Sequence, residues 1–114
     1  MAKNPLKTLR NKADRAYQQS RDPKTPCEAC GVPSQVYHHF FPKSTSSRLR
    51  YDMRNAIPLC NGCHLKHHTG NPTIHATVIE KRGMDWYKQL DKDRHEIIKV
   101  NKEFYEEAIN RLSK

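Results

Sequence analysis

A chain of 114 residues with 21 Lys+Arg against 12 Asp+Glu carries a formal charge of +9, a balance that suits a polyanionic partner. Only 35% of its residues are hydrophobic and its mean hydropathy is −0.99. No run approaches the roughly 20 apolar residues of a membrane span and no apolar signal-peptide core opens the sequence. A soluble cytoplasmic protein built as one small domain is therefore expected, with a core thin enough to need a staple.

Asn4-Pro5 reads as a helix cap followed by proline in the first turn, where its missing N–H costs nothing. Leu6, Leu9, Ala13, Ala16 and Tyr17 then recur at helical steps and predict a helix over 5–20. Its other face carries Lys7, Arg10, Lys12 and Arg15, which suits either a solvated surface or a phosphate backbone. Asp22-Pro23 and Thr25-Pro26 cannot continue that helix and form a linker into Cys27-Glu28-Ala29-Cys30-Gly31, where the glycine suits a turn of positive φ.

Residues 35–41 are aromatic and branched, predicting a strand that stops at Pro42, and 56–59 form a second apolar run of strand length. The two make a hairpin around a long basic loop holding Lys43, Arg48, Arg50, Tyr51 and Arg54. A helix follows over 61–69 with Gly70 as its stop, and Asn71-Pro72 opens another, which carries Ile74, Val78 and Ile79 and ends at Gly83. Asp85 suits the cap of a short helix with Trp86, Tyr87 and Leu90. Asp93 with Glu96 resembles a capping box for a last helix carrying Ile97, Val100, Asn101, Phe104, Tyr105, Ala108, Ile109 and Leu112. The first and last helices should pack together, since neither buries its stripe alone.

The chemistry concentrates between Tyr37 and Thr69, which holds five of the seven histidines and two of the four cysteines. Cys27-x-x-Cys30 and Cys60-x-x-Cys63 have the spacing of a four-thiolate zinc site, with disulfides or a redox pair as the competing reading. Such a closed shell is structural and supplies folding energy on the order of 10 kcal/mol in peptide models. His38 and His39 point to opposite faces of a strand, so one can hold an ion while the other approaches the reacting atom. His64 and His68 stand four apart on one helix face, with His67 as rival to His68. His75 and His95 are isolated and read as ordinary surface or boundary residues.

The order Cys-x-x-Cys, His38-His39, Asn55, then Leu59-Cys60-x-x-Cys63-His64 with His68 closing the helix resembles the HNH endonuclease motif, the ββα-metal fold. More weakly, Lys12-Ala13-Asp14, Gly70-Asn71 and the closing Phe-Tyr-Glu-Glu are similar to phage recombination nucleases of the NinG/Rap type. The paired histidine departs from that type, for which a single histidine after a small residue is expected.

The resemblance implies an α+β fold: a zinc-stapled ββα-metal core over 24–70 between a basic helix within 1–22 and C-terminal helices over 71–114. It implies a divalent-metal-dependent hydrolase of DNA phosphodiester bonds, with low sequence specificity or directed by DNA structure, in phage recombination or DNA processing. His39 would be the general base, Asn55 would orient it or brace the loop, and His38, His64 and His68 would bind one catalytic divalent ion. Three imidazoles favour Zn²⁺, Ni²⁺, Co²⁺ or Mn²⁺ over Mg²⁺. Lys43, Arg48, Arg50 and Arg54 are the expected phosphate contacts. The competing readings are a zinc-ribbon-like module that binds nucleic acid without cutting it and a toxin-like nuclease.

Overall fold

The computed structural model describes residues 5–68 and 72–113, without the side chains of His67 and His68. The elements run α1 (Pro5–Gln19), β1 (Val36–His39), a 3-10 turn (Met53–Asn55), β2 (Ala56–Leu59), α2 (Asn61–His68), α3 (Thr73–Arg82), α4 (Met84–Asp93) and α5 (Lys102–Leu112). This is the small α+β architecture that the sequence predicts. Asn4, Gly70 and Asn71, read as a cap, a stop and a second cap, lie outside the described residues.

The sheet is a single antiparallel pair with Val36 opposite Leu59, Tyr37 opposite Pro58, His38 opposite Ile57 and His39 opposite Ala56. A proline within so short a strand looks costly until the neighbouring groups are followed. The Tyr37 N–H and C=O turn outward, where the Gln18 amide accepts from the one and donates to the other, each at 2.9 Å. Tyr37 and Pro58 thus form a non-hydrogen-bonded pair, and the missing N–H removes no ladder bond.

All of β2 is buried because helices cover both of its faces. On one side Ile57 and Leu59 join Phe40, Leu49, Ile74, Val78 and Leu90 in a core under α3 and α4. On the other, Ala56 joins Ala13, Ala16, Tyr17, Tyr51, Tyr105, Ala108 and Leu112, which seals α1 against α5 as expected. Tyr51, a candidate for stacking on a base, is part of that core and only 2% exposed. Each helix pair buries what it cannot bury alone, and the hairpin with its histidines is held between them.

Two expected caps are corrected. The Asp93–Glu96 box does not form: the Asp93 carboxylate accepts from Arg54 at 2.8 Å, and Ile97 is 98% exposed, so a helix begun there would bury no stripe. The last helix starts after Asn101, whose side chain caps it by accepting from Phe104 N at 3.0 Å. Asp85 is not a cap either. It lies in the first turn of α4, while Gly83 takes the boundary at φ 96, a conformation open to glycine but strained for other residues.

Candidate active site and zinc centre

Gly31, at φ 85, closes the first knuckle and donates its N–H to Cys27 O at 2.8 Å. This turn brings Cys27 and Cys30 toward the Cys60 that follows β2 and the Cys63 in the first turn of α2. The four sulfurs lie within 4.8 Å of one another, and Cys30 and Cys60 are 3.7 Å apart. A tetrahedral zinc with bonds of about 2.3 Å sets its sulfurs about 3.8 Å apart, so the cluster has the size that zinc requires. No disulfide forms: all four cysteines are free. Burial alone would push the Cys27 thiol up, yet backbone hydrogen bonds from Cys60, Cys30 and Ala29 hold it down to about 6, in the range of a metal-ready thiolate. Glu28, inside the knuckle, takes Arg82 through two bonds of 2.6 and 2.7 Å and so fixes α3 to the cluster.

The knuckle places a histidine. His64 follows Cys63 directly and donates its N–H to Cys60 O at 3.0 Å, which fixes its backbone in the first turn of α2 on the side where its ring reaches β1. It meets the buried His38 with ring centres 5.3 Å apart and planes inclined at 62°. An ion bound at about 2.0–2.1 Å sits about 3.2 Å from each imidazole centre, and a tetrahedral pair then has centres about 5 Å apart. His38 and His64 fit that spacing. The side chains of His67 and His68, the two candidates for a third ligand, lie outside the described residues.

His39 faces the other way, as the alternation along β1 demands. Its Nε2 lies 2.9 Å from Arg50 O, and its ring stacks on Tyr17 with centres 4.5 Å apart. A carbonyl oxygen only accepts, so in the neutral ring Nε2 holds the proton and Nδ1 keeps the basic lone pair. Burial, with the charges on Lys43 and Arg50, lowers the His39 pKa below its usual 6.5 despite the Arg50 carbonyl, and the ring is neutral near pH 7. His39, His38 and His64 line one open cleft of about 550 Å³ with Gln18, Tyr37, Pro42, Lys43 and Ser44.

Asn55 is fully buried, and its side chain makes no hydrogen bond to His39. Its side chain accepts from Phe41 N at 2.8 Å and donates to Phe41 O at 3.0 Å and Leu49 O at 3.4 Å, the pattern of a brace across the base of the loop. Among the four basic residues expected on phosphate, Lys43 is brought into the cleft. Arg50 is held by Asp14 of α1 in a bidentate pair of 2.7 and 3.1 Å, while Arg48 reaches Asp52 and Glu96 and Arg54 reaches Asp52 and Asp93. Arg48 and Arg54 do not line the histidine cleft. His75, read as a boundary residue, is half-buried and stacks on Phe40 at 4.2 Å.

Three neighbours of the site come from α1: Asp14 behind Arg50, Tyr17 under His39, and Gln18 on the free edge of β1. Tyr17 is visible in the sequence only as a stripe residue. Asp14 appears in the sequence only within the weak Lys12-Ala13-Asp14 resemblance and Gln18 carries no local mark, because their partners lie 36 and 19 residues away.

Residues 27–70 match the family model for HNH endonuclease. The HNH segment contains both knuckles, the hairpin with His38 and His39, Asn55 and His64. A mitochondrial DNA mismatch repair protein mutS homolog from Sarcophyton glaucum is 38% identical over 52 residues, which cover 42% of this chain and 5% of that protein. The chain therefore spans only a small fraction of that relative. No solved structure matches it significantly. Among the described residues no helix is long and apolar enough to cross a membrane.

Proposed function

We propose that this chain is a metal-dependent endonuclease that hydrolyses DNA phosphodiester bonds. The observation that carries the reading is the fixed tautomer of His39: Nε2 is committed to Arg50 O, which leaves Nδ1 as a base on a ring lining the cleft shared with His38 and His64. In this reading His39 takes the proton from an attacking water, and its lowered pKa keeps it unprotonated at neutral pH. His38, His64 and His68 would hold one divalent ion, Mn²⁺, Ni²⁺, Zn²⁺, Co²⁺ or Mg²⁺. When bound, that ion supplies positive charge against the scissile phosphate and the departing 3′ oxygen. Lys43 offers a further cation at the cleft wall, and Asn55 keeps the loop shut behind it. DNA as substrate agrees with the charge of +9 and with the DNA mismatch repair name of the relative. With no helix among the described residues set out as a base-reading element, cutting is expected to follow DNA structure or to ignore sequence. Processing of recombination intermediates is the role implied by the weaker resemblance of Lys12-Ala13-Asp14, Gly70-Asn71 and the closing Phe-Tyr-Glu-Glu to phage recombination nucleases.

The test is nicking of supercoiled plasmid by the zinc-loaded protein with each divalent ion in turn. The wild type should cut, and His39→Ala should lower the rate by about 10²–10⁴-fold while leaving DNA binding in place. Binding without cutting by the wild type in every metal would instead identify a non-catalytic zinc module.

A further inference from the structure

A second cleft, of about 380 Å³, opens beside the histidine cleft and is lined by Arg10, Asn11, Asp14, Lys43, Ser44 and Arg50. Lys43 and Ser44 border both. Gln18 at the histidine cleft and Asn11 in the second lie on one stripe of α1, two turns apart, so the two clefts form one groove between α1 and the loop after β1.

Charge says what the groove suits. Its one carboxylate, Asp14, is neutralised by the bidentate Arg50 and also accepts from Tyr51 Oη at 2.7 Å. Among the described residues neither the Arg10 guanidinium nor the Lys43 ammonium has a carboxylate within ion-pair reach. Two unspent cations, an amide and a hydroxyl, with Arg10 and Asn11 on the α1 wall and Lys43 and Ser44 on the loop wall, match the oxygens of a phosphate chain, whereas an apolar occupant would leave these donors unpaired.

We infer that this groove is a phosphate track that carries one DNA strand from the histidine cleft along α1, with Arg10, Asn11, Lys43 and Ser44 as its contacts. The track rests on the nuclease reading only for the end at which the strand is cut. From Gln18 to Asn11 is seven residues, about 10 Å of helix at 1.5 Å each. At 3.4 Å of axis per nucleotide on one strand, that corresponds to about three nucleotides to one side of the scissile phosphate.

The experiment measures binding of a fluorescent DNA duplex by zinc-loaded His39→Ala protein as salt rises, so that cleavage does not enter. Each phosphate contact contributes about 0.9 to the slope of log K against log salt. Arg10→Gln should reduce the slope by about that amount, and Asn11→Asp, which adds a negative charge without changing size, should weaken binding at low salt. Lys99→Gln removes the same charge between α4 and α5, where it lines neither cleft, and should leave the slope unchanged. A wild-type slope in Arg10→Gln, or an equal loss in Lys99→Gln, overturns the track without touching plasmid cutting by the wild type. Absence of cutting by the wild type, with the Arg10 effect present, instead removes the nuclease reading and keeps the track.

Discussion

Asn55→Ala separates a brace from a chemical role. The side chain it removes makes two short hydrogen bonds to the Phe41 backbone, at 2.8 and 3.0 Å, and a longer one to Leu49 O, from a position with no exposure. Each short bond contributes about 1 kcal/mol net, and leaving its partner unsatisfied in a closed site adds to the loss, so about 3 kcal/mol is expected in all. Against a total stability of roughly 5–15 kcal/mol this is large, and at about 4 °C per kcal/mol it lowers Tm by roughly 12 °C. The assay is thermal unfolding of the zinc-loaded variant, paired with plasmid cutting well below its own Tm. Cutting should return there toward the wild-type rate. A variant that melts with the wild type yet fails to cut would refute the brace and place Asn55 at the chemistry.

Further outcomes follow from the same geometry. Cys30→Ser leaves the cluster with three sulfurs, and zinc titration of the unfolded variant should restore less structure than in the wild type, read by circular dichroism. Cutting should fall on an acid limb that lies below pH 6.5, because the lowered His39 pKa must be crossed before the base is lost; a limb above 6.5 would exclude His39. Asp14→Asn should cost about 1 kcal/mol at pH 7, since its partly exposed pair with Arg50 is screened. Burial would raise the Asp14 pKa, but the Arg50 and Tyr51 hydrogen bonds hold it below 3.8. Its contribution is therefore present above the unfolded value of about 3.9 and fades as pH falls through the lower folded value. Urea unfolding of both proteins against pH should show the gap closing on the acid side.

Much of this molecule was legible because its strongest signals are local. The two knuckles and the apolar 56–59 stretch each announce themselves within a few residues, and β2 and α2 begin where the sequence places them, whereas β1 spans only Val36–His39 and stops short of the expected end at Pro42. The C-terminal boundary was harder, because Asp93 and Asn101 both have cap chemistry. Which one caps depends on Arg54, which lies 39 residues from Asp93 and takes its carboxylate. The basic loop shows the same limit: composition marks Arg48, Arg50 and Arg54 as cations, but only the fold reveals that carboxylates from α1, α4 and the loop itself already engage them. Asn55 was legible as a position and not as a role, since orienting a ring and bridging a loop require the same amide.

The hairpin cannot grow. Gln18 occupies the outward-facing groups of Tyr37 on one border, and on the other Pro58 has no N–H to offer while its carbonyl accepts from Glu28 N at 2.9 Å. A stray extended peptide therefore finds no template along Tyr37 and Pro58, so this short ribbon stays two strands wide.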